Sequence, residues 1–511
     1  MRIVESQVGD IRRHVFAEVA RLAFNGGNYK QEISDIPFRI IKGEEAKYRE
    51  SIFLERAIVS ERVRLAIGLP LRPIDEYAAI SKGIEESVID EKYYDPPLIN
   101  IIKFACHSCP NNMYKVTDGC QGCLAHPCID ACPKDAISFG PHHRTVIDQD
   151  KCIKCGRCKK VCPYGAIMKF DRPCANACGV DAIGSDELGR AHIDQDKCVA
   201  CGMCVVNCPF GAISDKGQIF QLIQAIKKGP VSVIVAPSFV GQFGPKATYG
   251  KLVSALREVG FNHVAEVSVG ADLCAIQEAK DFIKEVPKEL PFMATSCCPA
   301  WSVMAKKNFP EIANTISMAL TPMVLTARYM KKRHPKDKIV FIGPCSAKKL
   351  EASRKTIRSY VDFVLTFEEL AGIFEAKDID VSSMEEAQVN DLATAAGKGF
   401  AVGGGVANAV VDVIKELDPD REVKVSSAMG LRECKEMLQE AIKGSYNGYL
   451  LEGMGCPGGC AAGTGTIQNS RKTSVLVNKA KQDATAKVAT ENQYANKLEV
   501  LEEMGKSKNT L

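Results

Sequence analysis

Cysteine is the residue type in this sequence that points most clearly to chemistry. The chain has 511 residues and 23 cysteines, and 16 of these lie between Cys106 and Cys208. A secreted disulfide scaffold would be short and would carry a signal peptide, but this N-terminus places acidic residues where a signal peptide needs an apolar core. Clustered thiols in a long chain without a signal peptide therefore indicate metal binding.

The cysteine-rich segment repeats itself. Two runs of Cys-x2-Cys-x2-Cys-x3-Cys-Pro occur, at Cys152, Cys155, Cys158 and Cys162 and again at Cys198, Cys201, Cys204 and Cys208. The phrase Ile-Asp-Gln-Asp-Lys-Cys ends at the first cysteine of each run. That cysteine lies 20 residues after the last cysteine of the preceding unit, at Cys132 and Cys178. The segment is therefore predicted to hold two tandem copies of a two-part module.

Both runs resemble bacterial ferredoxins and polyferredoxins, in which three close thiolates bind one 4Fe-4S cubane and the fourth cysteine binds the partner cluster. Cys120-x2-Cys123-x4-Cys128-x3-Cys132-Pro resembles a polyferredoxin variant of the same run. The repeat suggests four cubanes, with the ligand sets Cys120, Cys123, Cys128 and Cys162; Cys152, Cys155, Cys158 and Cys132; Cys198, Cys201, Cys204 and Cys178; and Cys106, Cys109, Cys174 and Cys208.

The last of these sets has an alternative. Cys106-x2-Cys109-x10-Cys120-x2-Cys123 also has a spacing that is typical of zinc sites. A zinc site there would leave other cysteines of the repeat without partners. Zinc and a fourth cubane both remain open at this point.

The cysteines after residue 230 follow predicted strands. Apolar strand-like runs alternate with helical stretches, as in α/β folds. Four of these runs are followed closely by distinctive groups, namely Ala236-Pro237-Ser238, Thr295-Ser296-Cys297-Cys298, Gly343-Pro344-Cys345 and Met454-Gly455-Cys456. Ligand sites in open α/β sheets collect beyond the carboxyl ends of strands, so we expect the four groups to converge.

Three longer motifs resemble the signature motifs of iron-only (FeFe) hydrogenases. They run over 295–301, 343–349 and 452–460 as Thr-Ser-Cys-Cys-Pro-Ala-Trp, Gly-Pro-Cys-Ser-Ala-Lys-Lys and Glu-Gly-Met-Gly-Cys-Pro-Gly-Gly-Cys. The resemblance implies an H-cluster, which is a 4Fe-4S cubane joined to a diiron site with CO, CN and dithiolate ligands. Its implied ligands are Cys298, Cys345, Cys456 and Cys460, with Cys460 bridging the two parts.

The resemblance also implies roles for residues that are not ligands. Lys348 would contact cyanide, and Pro237, Ser238 and Met454 would lie beside the cofactor. Cys297 would be the first proton relay, followed by Glu278, Ser317 and Asp281, where Asp281 stands in place of the family's outer glutamate. Without the resemblance, Lys348 would be read as a solvated loop lysine and the Glu278/Asp281 pair as a solvated helix surface.

Two departures from the family pattern fall beside the ligands. The second motif begins with Gly343 where the family most often has Met, and the Gly-Gly-Gly after the last ligand reads Gly463-Thr464-Gly465. Changes next to ligands tune potential and rate, and they indicate a divergent subgroup.

The elements that position these residues are predicted as follows. Residues 1–100 form a helical segment, with Val15, Val19, Leu22 and Ala23 at helical spacing. Residues 101–220 form α+β ferredoxin-like cluster modules, residues 221–470 form an α/β hydrogenase catalytic domain with parallel-type sheets, and residues 471–511 form a helical tail without a motif.

Composition limits the function. The net charge is +4, which gives no general case for nucleic-acid binding, and no apolar run approaches the 18 residues of a membrane helix. We expect a cytoplasmic ferredoxin hydrogenase that interconverts H2 and protons, exchanges electrons with a ferredoxin-type carrier and depends on maturation factors. The alternatives are a hydrogen-sensing regulatory homologue and a non-catalytic iron–sulfur electron-transfer or assembly protein.

Overall fold

Helices make up most of the N-terminal segment. The computed structural model describes residues 6–93, 95–354, 359–389 and 393–504, so the outermost residues of the predicted N-terminal segment (1–5) and tail (505–511) lie outside the described residues. The N-terminal helices are Gln7–Asn25, Tyr29–Ile40, Ile52–Ile67 and Ile84–Ser87. The hydroxyl of Ser6 caps the first helix by accepting a hydrogen bond from the amide of Gly9 at 3.3 Å.

The first helix packs on the later part of the chain. Its four residues predicted at helical spacing are all buried, as an amphipathic helix requires. They join one apolar core with helix Phe367–Ala376 and the four-stranded sheet described below. The two helices touch where a Cβ on Gly372 would lie only 2.5 Å from the Cβ of Phe16, so glycine permits this close approach.

The cysteine-rich region consists of short antiparallel strand pairs and helices of one turn or slightly more. Its strands are Ile99–Ile101, Met113–Val116, Ile137–Phe139, Thr145–Ile147, Ile167–Phe170, Ile183–Ser185, Ala191–Ile193 and Ile213–Asp215. Its helices are Pro127–Asp130, Arg157–Val161, Pro173–Asn176 and Met203–Asn207, with 3-10 turns at Lys103–Ala105 and Pro141–His143.

The two modules are nested, which corrects the prediction of simple tandem copies. Strand Ile99–Ile101 pairs with Ile213–Asp215, and the pair Met113–Val116 with Ile167–Phe170 lies between them in sequence. One module therefore interrupts the other. We call residues 113–170 the outer module, and residues 99–109 together with 171–215 the inner module. The nesting explains why Cys106 and Cys109 stand so far in sequence from the rest of their predicted set.

Two parallel sheets form the larger part of the chain. Strands His263–Glu266, Val231–Val235, Lys338–Gly343 and Phe363–Thr366 are neighbours in that order in one sheet, and Met293–Ala294, Tyr449–Met454 and Lys424–Met429 in the other. The strand Val231–Val235 is buried along its whole length, which accounts for its continuous apolar run. This arrangement confirms the predicted fold class of ferredoxin-like modules and an α/β region with parallel sheets.

Helices cover both sheets. Those from the end of the inner module onward are Ile219–Lys228, Tyr249–Val259, Ser268–Glu285, Pro299–Asn308, Pro322–Arg333, Ala347–Ser353, Phe367–Ala376, Ala395–Gly399, Gly405–Leu417, Leu431–Ile442, Ser470–Asp483 and Leu498–Glu503. Short 3-10 helices lie at Pro237–Phe239, Pro310–Thr315, Val381–Ser383, Cys460–Ala462, Ala489–Glu491 and Ala495–Lys497. Within the described ranges, no helix has both the length and the apolar composition needed to cross a bilayer.

Three apolar cores divide the molecule. One joins the N-terminal helices to the four-stranded sheet. A second joins the inner module to the three-stranded sheet through residues such as Cys204, Val205 and Trp301. The outer module has a small separate core around Tyr114 and Ile167. The inner module is therefore anchored to the sheets, whereas the outer module holds itself together.

Candidate active site

The four residue groups that follow strands meet at one cavity, as expected from the sequence. The cavity has a volume of about 90 Å³ and lies at the carboxyl ends of both parallel sheets. Its lining includes the motif residues Pro237, Ser238, Cys297, Cys298, Cys345, Lys348, Met454, Cys456 and Cys460. Apolar side chains complete the wall, among them Val267, Met323, Phe341 and Phe400.

The four thiols predicted as H-cluster ligands are neighbours in this cavity. Burial, and after it the nearby thiol of Cys298, raise the pKa of Cys345 to about 11 and that of Cys460 to about 12. Burial followed by Cys345, Cys298 and Cys460 raises the pKa of Cys456 as well. Four buried thiols whose thiolate forms repel one another are suited to a bound cation or cluster that stabilises them as thiolates.

The backbone around these thiols is held close to the cavity. The amide of Gly455 donates to the Cys298 sulfur at 3.3 Å. Gly459 has φ 75°, and a Cβ there would lie 2.8 Å from the amide nitrogen of Gly403 and 3.1 Å from the sulfur of Met454. Both the φ angle and the lack of space require glycine immediately before Cys460.

Lys348 is buried rather than solvated. Its ammonium donates to the carbonyl of Cys297 at 3.2 Å and pairs with Glu351 at 2.6 Å. Glu351 in turn accepts a hydrogen bond from Thr321 at 2.6 Å. Burial alone would lower the pKa of Lys348, but the carboxylate of Glu351 outweighs it and raises that pKa, so the cation persists beside the cavity.

Ser238 supplies a buried polar atom without a protein partner. The residue is fully buried, and its hydroxyl makes no hydrogen bond to any residue that the structure describes. An unpaired buried hydroxyl costs roughly 1–3 kcal/mol, so such a group generally has a partner in the functional molecule. The four soft thiols, the cation of Lys348 and this hydroxyl together fit an iron–sulfur group with anionic ligands.

The predicted relay residues follow one route away from the cavity. Glu278 is fully buried, so the solvated-surface interpretation fails for it. Its carboxylate accepts hydrogen bonds from the amide of Ser296 at 3.0 Å and from the hydroxyl of the same residue at 3.4 Å. Burial raises the pKa of Glu278 to about 7, against the opposing hydrogen bonds from Ser296 and Ser317.

Asp281 lies further out on the same helix. It is half-buried and accepts a hydrogen bond from Gln277 at 3.0 Å. It lines a second cavity, of about 620 Å³, together with Ser296 and Ser317. Met318 in the same lining is 79% exposed, so this cavity reaches the surface. Cys297 and Glu278 thus lie at the inner end of the route, and Asp281 at its open end.

The cysteines of the two modules assemble into groups like those predicted. Burial, and then the nearby thiols of Cys208 and Cys106, raise the pKa of Cys174 to about 12, and Cys109 lies near the same two thiols. Other neighbouring sets are Cys178, Cys198, Cys201 and Cys204; Cys132, Cys152, Cys155 and Cys158; and Cys120, Cys123 and Cys128. Cys162 packs on the core of the outer module with Cys128.

The spacing of these thiols bears on the zinc alternative. Among the described residues, no three cysteine sulfurs lie within 4.8 Å of one another. Tetrahedral zinc, with Zn–S bonds of about 2.3 Å, would draw its sulfurs to about 3.8 Å apart. Cys106 and Cys109 also lie beside Cys174 and Cys208, which are not the partners that the zinc spacing required. Both observations favour a larger cluster over zinc.

The inner module reaches the active-site cavity directly. The Cys201 thiol lies near enough to Cys456 to contribute to its raised pKa. The hydroxyl of Thr464 donates to the carbonyl of Cys201 at 3.2 Å and lies 3.3 Å from the hydroxyl of Ser346. Thr464 is the departure from the family's Gly-Gly-Gly, and it joins the inner module to the loop of Cys345.

Some residues around the site were not predicted from the sequence. Glu351 pairs with Lys348 at a spacing of three residues on one helix, a signal that could have been noticed. Lys349 is fully buried between Asp215 and Glu369, at 2.8 Å and 2.9 Å. No sequence pattern links Lys349 with Asp215 and Glu369, because the three residues come from different parts of the chain. Phe400 and the other apolar lining residues also lie outside every motif.

Comparisons with known proteins agree with this geometry. Residues 229–464 match the family model of the iron only hydrogenase large subunit, C-terminal domain. Residues 145–168 and 191–214 match the 4Fe-4S binding domain. The chain is 29% identical over 390 residues to iron hydrogenase 1 of Clostridium pasteurianum, an alignment that covers 65% of this chain and 67% of that relative.

Two further similarities are more partial. The chain is 25% identical over 274 residues to a cytosolic Fe-S cluster assembly factor of Xenopus tropicalis, covering 43% of this chain and 57% of that relative. An apo FeFe-hydrogenase structure from Chlamydomonas reinhardtii aligns with a TM-score of 0.45 and 22% identity, covering 52% of this chain and 88% of that one.

Proposed function

We propose that this iron-only hydrogenase-like protein catalyses the reversible conversion of H2 into two protons and two electrons. The observation that carries the proposal is the cavity at the carboxyl ends of both sheets. There the thiols of Cys298, Cys345, Cys456 and Cys460 meet a buried ammonium and the start of a polar route to the surface.

The donor set supports an H-cluster at this cavity. Cys298, Cys345, Cys456 and Cys460 would hold the group as its thiolate ligands. When bound, that group supplies the heterolytic cleavage and formation of hydrogen. Its diatomic ligands are anionic or strongly polar, which suits the ammonium of Lys348 and the unpaired hydroxyl of Ser238. Pro237 and Met454 would complete the enclosure on the apolar side.

The chain's own residues would move the proton. The Cys297 thiol lines the cavity without belonging to the four predicted ligands, and the buried carboxyl of Glu278 comes next. A carboxyl with a pKa of about 7 can gain and lose a proton near neutral pH with little driving force in either direction. Ser317 and Asp281 would pass the proton into the second cavity and so to solvent.

The two modules would move the electrons. Four thiol groups lie in the two modules, and the group containing Cys201 is adjacent to the active-site ligands. The group containing Cys174 neighbours it through Cys204. A series of cubanes at these positions would connect the cavity with a ferredoxin-type carrier outside the protein. Maturation factors would be needed to insert the diiron part.

Two other functions share this scaffold. A hydrogen-sensing regulator would carry the same cluster with little turnover. An iron–sulfur assembly role is supported by partial similarity to assembly proteins such as the factor from Xenopus tropicalis. The complete set of four cavity thiols and Lys348 favours a hydrogen-active cluster over an assembly role, and the relay residues Cys297 and Glu278 favour turnover over sensing.

The relay separates a catalyst from a passive cluster carrier. In fully matured protein, we expect Cys297→Ala to keep its iron and its cluster spectra while hydrogen turnover falls by at least 100-fold, the usual range for loss of a proton-transfer group. Cys274→Ala is the matched control, since that buried thiol is not in the cavity lining. Equal turnover in Cys297→Ala and wild-type protein would contradict the proposed relay.

A further inference from the structure

The loop with three close cysteines occurs twice with the same backbone. Residues 152–162 of the outer module and 198–208 of the inner module are offset by 46 residues. Lys154 and the equivalent Ala200 have φ of 58° and 54°, and the glycines two residues later have φ of 72° and 79°. Because the backbones match, differences between the two loops come from their side chains and neighbours.

The inner loop packs against the part of the chain that carries the active-site cavity. Ala200 and Val205 are buried in one apolar core with the two-sheet part of the chain, called the sheet domain below, and Val206 is buried next to Val205. The hydroxyl of Thr464 donates to the loop carbonyl of Cys201 at 3.2 Å. A Cβ on Gly202 would lie 2.7 Å from the same hydroxyl, so the contact is close. This face brings the inner thiols next to the active-site thiols.

The outer loop presents the same face to solvent. Positions that are Ala200, Met203, Val205 and Val206 in the inner loop are Lys154, Arg157, Lys159 and Lys160 in the outer loop. All four of these cations are exposed, and none has an ion pair with a carboxylate that the structure describes. Ile153, Val161 and Tyr164 are exposed beside them. Residues 151–170 contain no Asp or Glu.

The outer loop also brings a cluster ligand to the surface. Cys155 is exposed, whereas the equivalent Cys201 is half-buried and its carbonyl accepts a hydrogen bond from Thr464. The outer module carries nine Lys and Arg against five Asp and Glu, and the inner module carries four against seven. The exposed module is therefore the basic one.

We propose that residues 153–161 form a docking surface for a small acidic electron-transfer protein of the ferredoxin type. The outer loop would contact this carrier with the same face that the inner loop packs against the sheet domain. Charge attraction by the cations would take the place of the buried apolar contacts, and such a contact can be released. This inference rests on the proposed function for the direction of electron flow. The four exposed cations indicate an acidic partner, and the exposed apolar side chains beside the exposed Cys155 thiol indicate a protein that exchanges electrons there.

The test is an equilibrium binding measurement on the full-length protein with its clusters. The probe is an oxidised acidic two-cubane ferredoxin, titrated at low and at moderate ionic strength. The fourfold variant Lys154→Ala, Arg157→Ala, Lys159→Ala and Lys160→Ala should bind about tenfold more weakly at low salt, as expected when four exposed ion pairs are lost. Wild-type affinity should fall with added salt far more than that of the variant.

A matched control removes the same charge elsewhere. The four substitutions Lys246→Ala, Lys288→Ala, Lys415→Ala and Lys424→Ala change exposed lysines of the sheet domain. This control should bind the ferredoxin like wild-type protein. Equal affinities of the loop variant and the control would overturn the proposal, and so would an unrelated acidic polymer that binds the loop as tightly as the ferredoxin does.

Binding is measured without hydrogen turnover, so the two proposals can fail separately. A dye-linked hydrogen assay on the same preparations reports the proposed catalysis. Charge-dependent ferredoxin binding without dye-linked turnover would support the docking surface and remove the hydrogenase function. Dye-linked turnover together with ferredoxin binding that the four substitutions do not weaken would support the hydrogenase function and overturn the docking surface. Equal iron contents in all three proteins exclude cluster loss as the cause.

Discussion

The inner and outer modules share one cysteine pattern but have opposite surroundings. Strand pairs recur at an offset of 46 residues, so that Ile137 faces Ile147 in the outer module and Ile183 faces Ile193 in the inner one. The inner module packs into the core of the three-stranded sheet, whereas the outer module has only its own small core. Cysteine spacing therefore determines where clusters can form, and the remaining residues determine what each cluster can contact.

Nesting is the structural reason for this division. The inner module begins at Ile99 and ends at Asp215, and its two ends pair as strands against each other. The outer module is inserted into a loop of the inner one, so it projects from an already anchored unit. An inserted module needs no apolar contact with the sheet domain, and its surface is free to carry charge.

The largest expected effect concerns how the inner module is anchored. Lys349→Met would leave the buried carboxylates of Asp215 and Glu369 without their shared cation. Removing one partner from a buried ion pair costs about 3–5 kcal/mol. Chemical denaturation of the holoprotein should show a loss of this size. The outer-module counterpart of Asp215 is Lys169, which pairs at the surface with Asp171 at 3.0 Å, and Lys169→Met should cost under about 1 kcal/mol.

A smaller effect is expected from exchanging residues between the two loops. Val205→Lys places a cation where the side chain is 4% exposed, and we expect a destabilisation of about 2–3 kcal/mol. The reverse change, Lys159→Val, occurs at an exposed position and should change stability by at most about 0.5 kcal/mol. Thermal melting of both holoproteins checks the contrast. Similar losses would mean that the two loops do not differ in burial as the structure describes.

The smallest expected effect concerns the bond between the inner loop and the active-site loop. Thr464→Val removes the hydrogen bond to the Cys201 carbonyl while keeping the side chain's shape. One such bond is worth about 1 kcal/mol. If the bond were present in only one oxidation state of the cluster, this energy would shift a one-electron potential by roughly 40 mV. We expect the potential of one cluster to shift by at most this amount, measured by redox titration with electron paramagnetic resonance. Thr464→Ser keeps the hydroxyl and should leave the potential unchanged.

The sequence predicted the chemistry of the site better than its surroundings. The resemblance to the hydrogenase motifs named ligand candidates such as Cys298 and Cys345, and their places after predicted strands indicated the carboxyl ends of the parallel sheets, where the structure has them. The contacts of Lys349 could not be found, since Asp215 lies 134 residues away and no pattern relates the two. The nesting was also missed, because a repeat in the sequence does not show which strand pairs with which.

The burial of the two relay carboxyl groups could not be predicted from the sequence. Glu278 and Asp281 lie one helical turn apart on the same helix, but the first is fully buried and the second is half-buried beside an open cavity. Only the packing of the helix against the loop of Ser296 separates their environments. Burial raises the pKa of Glu278 to about 7 although the hydrogen bonds from Ser296 and Ser317 lower it, and the helix sequence alone does not show that burial.

The cavity at the sheet ends is proposed to hold an H-cluster at which hydrogen is turned over. Infrared spectroscopy of anaerobically matured protein, with a hydrogen assay on the same sample, is the decisive measurement. Carbonyl and cyanide bands together with turnover are expected. Bands with negligible turnover would indicate a sensor instead. Fully matured protein without such bands would rule out the H-cluster, and an iron–sulfur protein with four additional buried thiols would remain.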